Sequence, residues 1–112
     1  MVSKGEIWLA NLNPSKRPNE MGKVRPVVIW QGDTLNQSDY PTVIIIPMST
    51  QLIDDAEPIR MRIHRRESLD RDSDLIVTHI RAIDKDRLIE KLGTLSSREI
   101  RKARELFEEI VS

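Results

Sequence analysis

Runs of apolar and β-branched residues recur along the chain and predict a mainly β fold. The clearest run spans residues 42–50, where Val43 begins four consecutive β-branched residues bounded by prolines. The pattern also predicts strands at residues 6–12, 24–30, 59–63, 75–83 and 88–95. Residues 31–41 form a polar connection with one predicted helical turn at 33–37.

The strand predicted at residues 24–30 begins directly after a polar loop, residues 15–23. Gly22 gives that loop backbone freedom, and Pro26, which has no N–H, suits a first or edge position in a strand. Arg25 therefore lies at a loop-to-strand junction. A guanidinium held there can bind a phosphate or a carboxylate, and a surface ion pair is an equally weighted alternative.

The last segment predicts an amphipathic helix. Ser96 and Glu99 have the spacing of a capping box. The apolar residues that follow at helical spacing are Ile100, Ala103, Leu106 or Phe107, Ile110 and Val111. Six or seven short strands followed by one helix predict a small, strongly bent sheet or barrel, with residues 1–112 in one domain.

The amino-acid composition limits which kinds of metal, nucleic-acid and membrane site the protein can contain. The chain has no cysteine, which excludes disulfides and thiolate metal sites. It has only two histidines, so we expect no catalytic metal and no cofactor, and only a Mg²⁺ ion held by carboxylates stays open as an alternative. Eighteen basic and 18 acidic residues cancel, which argues against coating nucleic acid by charge alone but allows a local basic groove. The apolar runs are too short to span a bilayer, so we expect no membrane association and a cytoplasmic protein.

Polar residues at the ends of two predicted strands are candidates for chemistry. Arg25 opens one strand, and Ser49, Thr50 and Gln51 close the next. If these strands are antiparallel neighbours, both groups face a common cleft. Taken alone, Ser49 and Thr50 are better explained by a turn or a local backbone hydrogen bond. The chain lacks the common motifs for nucleotide binding, zinc binding and side-chain nucleophiles.

Five short motifs share their order and spacing with a known family. They are Gly-Glu-Ile-Trp at 5–8, Asn-Pro at 13–14, Glu-x-Gly-Lys-x-Arg-Pro at 20–26, Pro-Met-Ser-Thr-Gln at 47–51 and Ile-Arg-Ala-Ile-Asp-Lys at 80–85. Over nearly its whole length the sequence resembles the MazF/PemK-type toxins, ribosome-independent mRNA endonucleases of toxin–antitoxin pairs.

The resemblance implies an SH3-like small barrel with a C-terminal helix, acting as a homodimer. It implies metal-independent cleavage of single-stranded RNA that leaves a 2′,3′-cyclic phosphate and a 5′-hydroxyl. It also implies a cognate MazE-like antitoxin, whose acidic, disordered segment folds on binding. The basic residues within 16–25 are the expected contact for those acidic groups.

Carried over residue by residue, the resemblance implies catalytic roles for Arg25, Ser49 and Glu20. The positions expected to contact RNA are Lys16, Arg17, Asn19, Lys23, Thr50, Gln51 and His79. Attack by a 2′-hydroxyl needs no enzyme nucleophile, and Arg25 and Ser49 suit stabilisation of the phosphate. Glu20 as a base needs a large upward pKa shift, so the identity of the base stays open.

Three positions depart from the family pattern. Ser49 replaces the usual threonine and lacks the methyl group that fixes the side-chain rotamer. His79 replaces a glutamine, and we favour a base or phosphate contact over an acid role. Thr78 stands where the PemK branch carries an aspartate, which favours a MazF-like site.

Two alternatives keep the fold without the chemistry. One is a toxin that binds a protein target such as DNA gyrase, and the other is a neutral barrel that binds RNA or a protein, with Arg25 in an ion pair. The four aromatic residues supply little surface for base stacking, which counts against a high-affinity RNA reader.

Overall fold

The computed structural model describes residues 1–12 and 24–112. In these ranges the strands are β1 (Glu6–Asn11), β2 (Val24–Ile29), β3 (Thr42–Ser49), β4 (Arg60–Ile63), β5 (Ser73–Ile76), β6 (Arg81–Asp84) and β7 (Leu88–Thr94). The helices are α1 (Asp33–Asn36) and α2 (Ser97–Val111), and 3₁₀ turns occur at Val77–His79 and Lys85–Arg87. The predicted succession of short strands followed by one long helix is confirmed.

The strands form one antiparallel sheet in the order β4-β5-β3-β2-β1-β7, with β6 also pairing with β3. The condition set above for a common cleft is met, because β2 and β3 are antiparallel neighbours in which Val27 lies opposite Pro47. Strand β3 is central, since it pairs with β2 on one edge and with β5 and β6 on the other.

The prediction of one continuous strand at residues 75–83 was wrong. Leu75 of β5 lies opposite Met48, and Arg81 of β6 lies opposite Ile45. Between these two pairs β3 spans three residues (48 − 45), whereas the segment from β5 to β6 spans six (81 − 75). The extra residues form the 3₁₀ turn Val77–His79, so the segment splits into two strands along one edge of β3.

Helix α2 begins at the predicted capping box and packs on one face of the sheet. The Ser96 Oγ accepts a hydrogen bond from the Glu99 N–H at 3.1 Å, and the Glu99 Oε1 accepts one from the Ser96 N–H at 2.8 Å. Ala103 is fully buried, whereas Val111, which we predicted on the apolar face, is 61% exposed. The other helix residues in contact with this core are Ile100, Leu106, Phe107 and Ile110.

The opposite face of the sheet has its own core. Val28 packs into the cluster under α2, while Val27 and Ile29 pack into a second cluster with Val43 and Ile45. All of these side chains are fully buried, because successive residues of a strand point to opposite faces. Strand β2 is therefore covered on both faces over residues 27–29.

The fold is the predicted mainly β arrangement with a C-terminal helix, but its sheet is not closed. Within the described residues, the end strands β4 and β7 share no ladder. The loop after β4 lies across this gap, where the Ser68 N–H donates to the Leu92 carbonyl at 2.8 Å and the Glu67 carboxylate accepts from the Thr94 N–H at 3.1 Å. In the described ranges no helix is long and apolar enough to cross a membrane.

Candidate functional site

Arg25 and Ser49 lie at the same end of the sheet on neighbouring strands. Arg25 is the second residue of β2, and Ser49 is the last residue of β3. The β2–β3 ladder ends at the pair Val27–Pro47, and Arg25 and Ser49 each lie two residues beyond it, at positions that would be opposite if the register continued. Opposite residues in an antiparallel ladder share a face. The tertiary structure thus brings together two residues that are far apart in the chain.

The Ser49 hydroxyl is engaged by the loop that follows its strand. Its Oγ accepts a hydrogen bond from the Gln51 N–H at 3.1 Å, which is the local backbone contact considered from the sequence. A serine hydroxyl still keeps its own proton to donate. Ser49 is half-buried, while Thr50 and Gln51 are exposed and accessible to a ligand at this end of the sheet.

Asp74, which the sequence analysis did not single out, lies opposite Ser49 on the other side of β3. It is 1% exposed, yet both of its oxygens are hydrogen-bonded. The Arg62 Nε donates to Oδ1 at 2.7 Å, while the Ile53 N–H at 2.8 Å and the Arg60 Nη1 at 3.3 Å donate to Oδ2. Arg60 and Arg62 are two residues apart on β4 and therefore share one face of the sheet.

Asp74 and Arg62 each stabilise the ionised form of the other. Burial by itself disfavours the ionised form of Asp74, but hydrogen bonds from Arg62, the Ile53 N–H and Arg60 outweigh it and hold the pKa of Asp74 below its usual value. The carboxylates of Asp74 and Asp54 in turn raise the pKa of Arg62. Asp74 and Arg62 are therefore both ionised at neutral pH, and an open cleft lies beside them.

His79 lies in the 3₁₀ turn between β5 and β6 and is exposed. The flanking pairs of this turn are at Met48 and Ile45 of β3, so His79 lies alongside the middle of that strand. Ser49 is at the strand's end. The structure therefore does not bring His79 to the level of Arg25 and Ser49 in the ladder.

The remaining predicted site residues lie outside the described residues, between β1 and β2. They are Glu20, Lys16, Arg17, Asn19 and Lys23. In residues 1–12 and 24–112, no group of three or more histidine or acidic side chains is arranged to hold a metal ion.

A comparison with protein families identifies the family to which this chain belongs. Residues 3–111 match the model of the PemK-like, MazF-like toxins of type II toxin–antitoxin systems. The chain belongs to this family. The match covers nearly the whole chain, so the predicted resemblance is confirmed.

Solved structures of MazF toxins share the fold at low sequence identity. The Mycobacterium tuberculosis toxin MazF-mt6 is 18% identical over 95% of both chains, with a TM-score of 0.76. A MazE-MazF structure from Deinococcus radiodurans is 15% identical over 98% of this chain and 95% of the other, with a TM-score of 0.78. An endoribonuclease solved with its cognate antitoxin from a mycobacterial species is 14% identical over 98% and 92%, with a TM-score of 0.71.

Proposed function

We propose that this MazF-like toxin is an endoribonuclease that cleaves single-stranded RNA sequence-specifically, without a metal ion and independently of the ribosome. The observation that carries the proposal is the β2–β3 pairing, which puts Arg25 and Ser49 at the same end of neighbouring strands, each two residues beyond the pair Val27–Pro47. Membership of the toxin family supports it, as does the similarity of the fold to solved proteins described as endoribonucleases.

In the proposed reaction the RNA supplies its own nucleophile. The 2′-hydroxyl oxygen bonds to the adjacent phosphorus, the bond from phosphorus to the 5′-oxygen breaks, and the products are a 2′,3′-cyclic phosphate and a 5′-hydroxyl. One proton leaves the 2′-hydroxyl and another reaches the departing 5′-oxygen. DNA lacks the 2′-hydroxyl and should not react.

Arg25 and Ser49 serve this reaction by stabilising charge. A guanidinium makes paired hydrogen bonds to the phosphoryl oxygens, where negative charge grows in the transition state. The hydroxyl of Ser49 donates a further hydrogen bond. Glu20 is one candidate for the base, whose identity stays open, while Thr50 and Gln51 contact the RNA from the loop after β3.

We further propose that the toxin forms a homodimer and is inhibited by a cognate antitoxin with an acidic segment. The similar structures include MazE-MazF and endoribonuclease–antitoxin complexes, which support such a partner. Residues 16–25 carry the basic groups that would attract this segment. Alanine at Lys16, Arg17 and Lys23 together should weaken antitoxin binding, and unchanged affinity would refute this contact.

The test is cleavage of a long single-stranded RNA in EDTA, with product ends mapped and DNA of the same sequence as a control. Arg25→Ala and Ser49→Ala should each slow cleavage by about 100-fold or more, the usual effect of removing one donor to a transition-state oxyanion. Arg101→Ala is the matched control, because Arg101 is exposed on α2. It should cleave at the wild-type rate.

The other outcomes of this test would refute either the nuclease activity or the proposed site. Wild-type protein that is folded but cleaves none of many varied RNAs would refute the nuclease and favour a toxin that binds a protein target such as DNA gyrase. Cleavage that survives Arg25→Ala would keep the nuclease and refute the proposed site.

A further inference from the structure

We infer that Asp74 is a positioning residue of this site, which holds the Ser49 hydroxyl in one orientation through the loop that follows β3. The inference rests on the proposed function for its catalytic consequence. The geometry that supports it lies entirely in the described residues around Ser49, Gln51, Ile53 and Arg60.

The Asp74 carboxylate holds this loop at two points. It accepts a hydrogen bond directly from the Ile53 N–H at 2.8 Å. It also binds the Arg60 Nη1 at 3.3 Å, and the same nitrogen donates to the Gln51 carbonyl at 3.0 Å. The backbone of the loop is therefore tied to β5 immediately after the end of β3.

Gln51 transmits this restraint to Ser49. The Gln51 N–H donates to the Ser49 Oγ at 3.1 Å, while its carbonyl is held by Arg60. The backbone of Gln51 is thus fixed at both its N–H and its C=O. Serine has only one substituent on Cβ, so its hydroxyl can occupy three staggered rotamers unless a neighbour selects one. The Gln51 N–H selects one here.

Charge neutralisation alone does not account for the arrangement of Asp74. Arg62, its strongest partner, already has a second carboxylate, since its Nη2 donates to the Asp54 Oδ1 at 2.7 Å. The second oxygen of Asp74 is directed to the Ile53 N–H and to Arg60, which are the two contacts that order the loop. On β5, Asp74 lies opposite Ser49 of β3 on one side and opposite Arg62 of β4 on the other, so its carboxylate is next to Ser49.

Two variants separate this role from a general loss of stability. Asp74→Asn keeps the size of the side chain and one acceptor oxygen but removes the charge that holds Arg60. Arg60→Gln leaves the buried carboxylate bonded to Arg62 and to the Ile53 N–H, and it removes the guanidinium that joins Asp74 to the Gln51 carbonyl. Asp72→Asn is the matched control, because its solvent-accessible carboxylate binds the Arg65 N–H in the same segment, away from the loop after β3.

With folded protein and the mapped RNA substrate, kcat should fall by about 10- to 100-fold in Asp74→Asn and Arg60→Gln, the range expected when a catalytic group is displaced by up to 1 Å. KM should change by less than about threefold, because a misplaced hydroxyl affects the transition state more than substrate binding. The control should retain the wild-type kcat.

Ser49→Thr supplies a rescue that a purely structural role would not give. A β-branched side chain is restricted to fewer rotamers without help from a neighbour. Asp74→Asn should therefore cost much less kcat in a Ser49→Thr background than in the wild type, and the double-mutant cycle measures this coupling. Equal losses in both backgrounds would overturn the inference.

Amide hydrogen exchange of the free protein tests the loop without any RNA. Exchange at the Gln51 N–H should accelerate in both Asp74→Asn and Arg60→Gln and stay unchanged in Asp72→Asn. Wild-type kcat in the folded variants, or unchanged exchange at Gln51, would overturn the inference. A wild-type chain that cleaves no RNA would instead refute the proposed function, while the exchange measurement still reports on the loop.

Discussion

The ion pair between Arg66 and Glu99 joins helix α2 to the open side of the sheet. The Arg66 Nη2 donates to the Glu99 Oε2 at 2.7 Å, and Nη1 donates to Oε1. Glu99 also accepts a hydrogen bond from the Ser96 N–H in the capping box. Arg66 also donates one to the Thr94 carbonyl. We predict that Glu99→Ala destabilises the fold substantially, because it removes the ion pair and the carboxylate half of the capping box, while the Ser96 Oγ still accepts from the backbone N–H of residue 99.

The expected loss is about 3 kcal/mol. The two side chains are only 22% and 21% exposed, so this pair is shielded from solvent better than a surface salt bridge. A charge-assisted hydrogen-bonded pair contributes about 1.5–3 kcal/mol, and the hydrogen bond from the Ser96 N–H, which is lost with the same carboxylate, contributes about 1 kcal/mol. For a domain of this size 1 kcal/mol shifts Tm by roughly 4 °C, so we expect Tm to fall by about 12 °C.

Thermal and urea unfolding followed by circular dichroism would measure this loss. Glu105→Ala is the matched control, because Glu105 is exposed in the middle of the same helix, and its Tm should differ little from wild type. A loss below about 1 kcal/mol for Glu99→Ala would show that the pair behaves like an ordinary surface salt bridge.

The same pair makes part of the stability dependent on pH. Burial disfavours ionised Glu99, but Arg66 and the Ser96 N–H outweigh it, so the pKa of Glu99 is lower in the folded than in the unfolded chain. Its contribution is therefore complete above the unfolded pKa of about 4.3 and is lost as pH falls through the folded pKa. The stability difference between wild type and Glu99→Gln should be constant near neutral pH and shrink below about pH 4.

Two further substitutions test backbone and side-chain constraints by their unfolding free energies. Gly5 has φ +90°, and an added Cβ would lie 2.6 Å from the Ile100 Cδ1, so Gly5→Ala should cost about 2 kcal/mol. Gly32→Ala, where a Cβ meets nothing within 4 Å, should change little, and equal losses at both positions would contradict this reasoning. The buried Asn36 Nδ2 donates to the Gln31 carbonyl at 2.8 Å. Asn36→Asp replaces this donor with a carboxylate oxygen that faces the carbonyl, so it should lower the free energy of unfolding by about 1–3 kcal/mol. A variant as stable as the wild type would refute the requirement for a donor there.

Local patterns in the sequence determined most of the elements. The run from Val27 to Ile29 indicated a strand covered on both faces, since every side chain in it is apolar, and the structure buries all three. Ser96 and Glu99 defined the start of α2, because both hydrogen bonds of a capping box form within four residues. These features depend on neighbours in the chain and are therefore visible without the tertiary structure.

The arrangement around Ser49 was only partly accessible from the sequence. The motif order indicated Arg25 and Ser49 as partners, and the observed register supports their proximity. Asp74 was overlooked because it lies in a charged segment that resembles a solvated loop, and because the strand predicted at 75–83 excluded it. The 3₁₀ turn at Val77–His79, which shifts the register along β3, leaves no trace in the hydrophobic pattern.

Tertiary structure alone decided which charges meet. Asp74 is buried between Ser49 and Arg62 because β5 lies between β3 and β4, and that order follows from how the two cores are filled rather than from any local signal. A carboxylate has no intrinsic preference for one arginine over another. Its partner is chosen by the sheet order and register that bury the apolar residues, and the hydrogen bonds then hold the loop beside Ser49.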